Sequence, residues 1–150
     1  MKLAEALILR GDLQKRLEQL RDRLQANALT QEGEKPAEDP LELLAELKRV
    51  SGELETLVGK INLTNASVQK EGKTLTELLA KREAEAEKLS ILRSFLDAAS
   101  RKVVRGSHSE VKIQSTVDVA ALRKELDGLS QDLRKLDTLI QSTNWLQDLI

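Results

Sequence analysis

The chain has 150 residues, a formal net charge of −1 and no cysteine. That length fits one domain, residues 1–150, and the missing thiols exclude a disulfide framework, a thiolate zinc site and a cysteine nucleophile. Phe95 and Trp145 are the only aromatic residues while leucine recurs throughout, so the core is aliphatic and made by helix packing rather than by a sheet sandwich.

The opening MKLAEALILRGDL is interrupted by Glu5 and closed by Arg10 and Asp12, with no small-residue cleavage site behind it. It does not read as a signal peptide, and no run approaches the roughly 18 apolar residues of a membrane span. A cytoplasmic location is expected. The first helix is expected over about residues 2–29, with Leu13, Leu17, Leu20 and Leu24 on one stripe. Its first turns differ, because Leu3, Ala4, Ala6, Leu7, Ile8 and Leu9 wrap most of the circumference. Such an end is buried on more than one side, which offers Leu3, Leu7 and Ile8 to a second subunit.

The polar TQEGEKPAEDP, with Gly33, Pro36 and Pro40, is a loop. Asp39, Pro40 and Glu42 then form a helix start: an N-cap carboxylate, a proline at the first helical position and an acid in the first turn. Leu43, Leu47, Val50, Leu54, Leu57, Ile61, Thr64 and Val68 follow at alternating four- and three-residue steps, the seam of a coiled coil. Ala45, Gly52, Gly59 and Ala66 recur every seven residues on the side away from that seam. A glycine inside a helix costs about 1 kcal/mol relative to alanine, so Gly52 and Gly59 suit either an open face or close approach of another helix.

Gly72 reads as the left-handed stop of this helix and TLTE, from Thr74 to Glu77, as a capping box opening the third, so the two helices form an antiparallel hairpin. The third helix carries Leu75, Leu78, Leu79, Leu89, Leu92, Leu96, Ala99 and Val103 around a charged middle, KREAEAEK, and stops at Gly106. In RGSHSEVKIQSTVDV, Val111, Ile113 and Val117 alternate with Lys112, Gln114 and Thr116, which predicts a short strand over about residues 110–115. It pairs either with RKVV, from Arg101 to Val104, or with the same segment of another copy. The second is favoured because an isolated hairpin is only marginally stable. The last helix starts after Thr116 or Asp118 and carries Val119, Leu122, Leu126, Leu129, Leu133, Leu136, Ile140 and Thr143. The fold class is mainly α: an elongated antiparallel four-helix bundle or pair of coiled-coil hairpins with one short β segment.

Little in the chain carries chemistry. SVQKEGKT, from Ser67 to Thr74, ends like a phosphate-binding loop, but Ser67 stands where glycine is needed and a heptad helix precedes it where a strand belongs. NLTNAS holds overlapping glycosylation sequons at Asn62 and Asn65; the alternative is a polar inter-helix network of Asn62, Asn65 and Asn144, with every buried amide paired. A di-iron bundle needs two Glu-x-x-His pairs, and one histidine, His108, cannot supply them. His108 lies between serines in a turn, and Glu83, Glu85 and Glu87 read as surface. Arg101, Lys102, Arg105 and Lys112 make a small basic cluster, too sparse and too poor in aromatics for a nucleic-acid reader. No nucleophile, base and orienting acid converge, so neither catalysis nor a metal or other cofactor is expected.

Taken in order, MKLAEALILR, EDPLELLAEL, INLTNA, GKTLTELLAKR, STVDVAAL and LDTLIQSTNWLQDL resemble a family of short bacterial proteins labelled septicolysin, along nearly the whole chain. The resemblance implies a helical protein of uncharacterised function, and the label names a pore-forming cytolysin. The residues themselves show no export signal and no tryptophan-rich membrane tip. Three expectations result. The first is a non-enzymatic homo-oligomeric scaffold or interaction module, contacting another copy or an unidentified protein through Leu3, Leu7, Ile8, Gly52, Gly59, Val111 and Ile113, with neither nucleic acid nor membrane as partner. The second is a small-ligand- or metal-binding protein with its site near Asn62, Asn65 and Asn144. The third is the membrane activity of the label.

Overall fold

A computed structural model describes residues 1–101 and 112–150. Its helices are α1 (Leu3–Ala26), α2 (Pro40–Ser67), α3 (Leu75–Ser100) and α4 (Val119–Leu146), and its strands are β1 (Gln69–Lys70) and β2 (Lys73–Thr74). The chain forms two compact units, one of Met1–Leu75 with Gln141–Ile150 and one of Thr76–Ile140.

In the first unit α1 and α2 are antiparallel, as the pairs Arg16 with Glu46 and Arg23 with Glu38 require. Ala6, Leu13, Leu20 and Asn27 are buried along α1 at seven-residue steps, as are Leu43, Val50, Leu57 and Thr64 along α2. Leu17, Leu24, Leu47 and Leu54 are half-buried beside them. The heptad pattern therefore sets one narrow seam whose seventh residues are its innermost layer. α2 starts where its sequence says: Asp39 is the N-cap, its carboxylate accepts from the Leu41 N–H at 2.9 Å, and Pro40 opens the helix.

α1 ends at Ala26, short of the expected residue 29, because Asn27 stops it. The Asn27 side chain donates from Nδ2 to the Arg23 carbonyl at 2.8 Å and accepts the Glu38 N–H at 2.9 Å. Arg23 Nε sits 3.1 and 3.0 Å from the two Glu38 carboxylate oxygens. One buried amide and one forked ion pair thus fasten both ends of the 28–39 loop, satisfying backbone groups that the end of a helix leaves open.

Between α2 and α3 the structure departs from the expected helix stop. Ser67 is the last residue of α2 and Val68 its cap, while Gly72 lies beyond, in a hairpin pairing Gln69 with Thr74 and Lys70 with Lys73. Glu71 and Gly72 both have positive φ, 51° and 77°, the type I′ geometry whose twist matches a two-residue hairpin. Gly72 is left-handed as read, but as a turn residue rather than a helix C′. Thr74 directly precedes α3.

In the second unit α3 and α4 are antiparallel, bridged by Arg82 to Asp137 at 3.6 Å and by Arg93 Nη2 donating to Ser130 Oγ at 3.2 Å. Leu78, Leu89 and Leu126 are buried, and Leu122, Leu129, Leu133 and Leu136 half-buried. Of the two expected caps for α4, Asp118 serves, accepting the Ala121 N–H at 3.0 Å. Residues 112–115, the described part of the expected β segment, are irregular, and among the described residues the sheet lies at 69–74 instead. The candidate partner segment at residues 102–104 lies outside the described residues. Val103, His108 and Val111 lie outside the described residues.

Candidate functional site

The apolar opening of α1 is covered by the far end of the same chain. Leu3 N–H donates to the Gln147 carbonyl at 2.8 Å and Leu149 N–H to the Met1 carbonyl at 2.9 Å, making an antiparallel bridge between Lys2 and Asp148. Lys2 Nζ meets the Asp148 carboxylate at 2.8 Å and the Leu146 carbonyl at 3.0 Å, and the hydrogen bond from Lys2 holds Asp148 below the usual carboxylate range. Beneath this clasp, fully buried Thr64 accepts the Ile150 N–H at 3.1 Å and donates to the Lys60 carbonyl at 2.8 Å.

The clasp corrects one expectation. Leu3 is fully buried, with Ala4 and Ala6 beside it, so it is not offered to a second subunit; Leu7 is half-buried and only Ile8, 57% exposed, remains outside. Gly52 and Gly59 are exposed, and a Cβ on either would meet nothing within 4 Å. Ile113 is 71% exposed in the irregular segment, and its expected companion Val111 is not described.

The expected asparagine network is also redrawn. Asn62 is exposed, Asn65 half-buried and Asn144 buried, and no hydrogen bond joins them. The polar side chains that the first unit buries are Asn27, Thr64, Thr143 and Asn144. The helical phase explains the difference: Thr64 continues the seam of Leu57 and Ile61, whereas Asn62 falls on the other side of α2. Among the described residues no group of three or more His, Cys, Asp or Glu is placed to hold a metal, and no helix is long and apolar enough to cross a membrane.

Two surface features of the first unit stand out. An open groove of about 610 Å³ runs between α2 and the clasp, walled by Leu9, Leu57 and Leu149 with Gly52 leaving its floor open. Lys60 and Glu53 flank it, and Glu53 is paired with Arg49 at 3.3 Å. The second feature is a continuous outer seam on α2: Leu41, Ala45, Lys48, Gly52, Thr56, Gly59, Leu63 and Ala66, three or four residues apart and all exposed. It lies opposite the seam that α1 covers. Leu41 and Leu63, 75% and 62% exposed, bound it. The seven-residue series of small residues marked this face in the sequence; Leu41 and Leu63 fall outside that series and were missed.

A family model described as a family of unknown function, DUF6847, matches residues 10–149. No curated protein matches the chain. A crystal structure of a functionally unknown conserved protein from Corynebacterium diphtheriae is similar to it, with 37% identity and a TM-score of 0.90 over 100% of this chain and 99% of that one. Neither match carries the septicolysin description. The chain therefore belongs to DUF6847, a family of unknown function.

Proposed function

We propose that the protein is a non-enzymatic helical interaction module that works as a self-associated scaffold. The observation that supports this reading is the outer seam of α2, a stripe of small and apolar residues broken by Lys48 and Thr56, on a helix whose opposite face is already packed on α1. A helix with one buried seam is complete in a two-helix hairpin; a second seam has a use only against another helix. Glycine at two of its positions sets aside helix stability and allows close backbone approach. Light scattering coupled to size exclusion tests the reading: a single stable oligomer at micromolar concentration is expected, and a clean monomer refutes it.

A second reading, a small-ligand module, draws on the groove beside Lys60. Its volume falls in the range of small-molecule sites, roughly 300–1,000 Å³. A thermal-shift screen tests it, and it fails if no class of ligand moves the melting point.

A further inference from the structure

We infer that the outer face of α2 binds the same face of a second copy, antiparallel, with the two-fold axis at Gly52. This rests on the self-association proposed above and adds the surface, the partner and the register. The seam reads nearly the same in both directions from Gly52: Lys48 and Thr56 lie four residues either side, Ala45 and Gly59 seven, Leu41 and Leu63 eleven. A two-fold contact uses one patch twice, so it requires this kind of self-complementarity. Around Gly52 it sets Gly52 against Gly52, Ala45 against Gly59 and Leu41 against Leu63 of the second copy, small residues at the centre and leucines closing each end.

The charges beside the seam agree with that register. An antiparallel two-fold brings each flank of α2 against the same flank of the other copy. On one flank Lys48 faces Glu55 of the second copy, and on the other Arg49 faces Glu53, each within two residues of register. Both pairs occur twice; the like-charged contact near the axis, Glu53 with Glu53 of the second copy, is flanked on either side by the two Arg49 side chains. Arg49 and Glu53 already meet at 3.3 Å within one chain, so pairing extends this into a four-charge cluster. The open space above Gly52 and Gly59 is what close approach needs.

Disulfide trapping tests the register, because the chain has no cysteine of its own. At Gly52 an added Cβ meets nothing within 4 Å, and Gly52→Cys is expected to oxidise to a covalent dimer. Ala45→Cys and Gly59→Cys alone are expected to stay unlinked, because like positions then lie about 21 Å apart, while a mixture of the two yields the cross-linked heterodimer. Light scattering on the unmodified chain accompanies the trapping. An oligomer in which Gly52→Cys stays unlinked, or in which Ala45→Cys links to itself, overturns the pairing and leaves self-association standing. A monomer overturns both.

Discussion

Replacing Gly52 and Gly59 together by alanine has two effects of opposite sign. Within one chain each added methyl enters open space, with nothing within 4 Å of it, so packing neither gains nor loses. What changes is the unfolded chain's freedom, and Gly→Ala inside an exposed helix stabilises by about 0.5–1 kcal/mol per site. The sites are two turns apart, about 10 Å, and share no neighbour, so the effects add to about 1–2 kcal/mol. For a domain of this size that raises Tm by about 2–8 °C. Urea denaturation followed by circular dichroism, at concentrations below association, is expected to show the higher midpoint with an unchanged slope. At high concentration the same methyls hold the paired helices apart, and the double variant is expected to associate more weakly. A lower urea midpoint in dilute protein is the contrary result, since it requires atoms above the glycines that the structure places elsewhere.

Asn27→Ala removes the amide that joins the Arg23 carbonyl to the Glu38 N–H and is expected to cost about 1–2 kcal/mol in urea denaturation, because the Glu38 N–H loses its acceptor while the Arg23 carbonyl keeps the Asn27 N–H at 3.1 Å. Thr64→Val keeps the side chain's volume but removes the acceptor for Ile150 N–H; hydrogen exchange at Ile150 is expected to accelerate, with a stability loss of about 1 kcal/mol. Acid is expected to destabilise the first unit. Hydrogen bonds from Arg23, Arg16 and Lys2 hold Glu38, Glu46 and Asp148 below their usual values, so the stability they add is full above the ordinary carboxylate range and is lost as pH falls through and below it. The urea midpoint measured from neutral pH down to about pH 3 is expected to fall, and less steeply in Arg23→Gln.

Helices were legible where one local rule was enough. Asp39-Pro40 marked the start of α2 to the residue, since a cap and a first-turn proline act within three residues. The leucine series of α2 named its buried face, since a seven-residue period admits one seam. Contacts that join distant parts of the chain were not legible. The bridge between Lys2 and Asp148 joins backbone groups, and the Thr64 hydroxyl accepts a backbone N–H, that of Ile150; a backbone partner leaves no pattern in side-chain type. The apolar first turn of α1 did announce a covering surface; that the cover is the chain's own end depends on where α4 finishes. Glu71-Gly72 was misread for a local reason. Glutamate rarely takes positive φ, so the turn lacks the Asn-Gly signal and its glycine resembles a helix stop.

Sedimentation equilibrium of the unmodified chain beside Leu63→Lys tests most directly whether the outer face of α2 holds two copies together. Leu63 is largely exposed in the single chain, so the substitution spares the fold. In the pair it removes two leucine contacts and introduces two cations, a loss of about 3 kcal/mol or more, or roughly a hundredfold in Kd. A dimer is expected for the unmodified chain and a shift towards monomer for Leu63→Lys. An unmodified chain that sediments as a monomer, or a Leu63→Lys variant with the same dimer affinity, contradicts it.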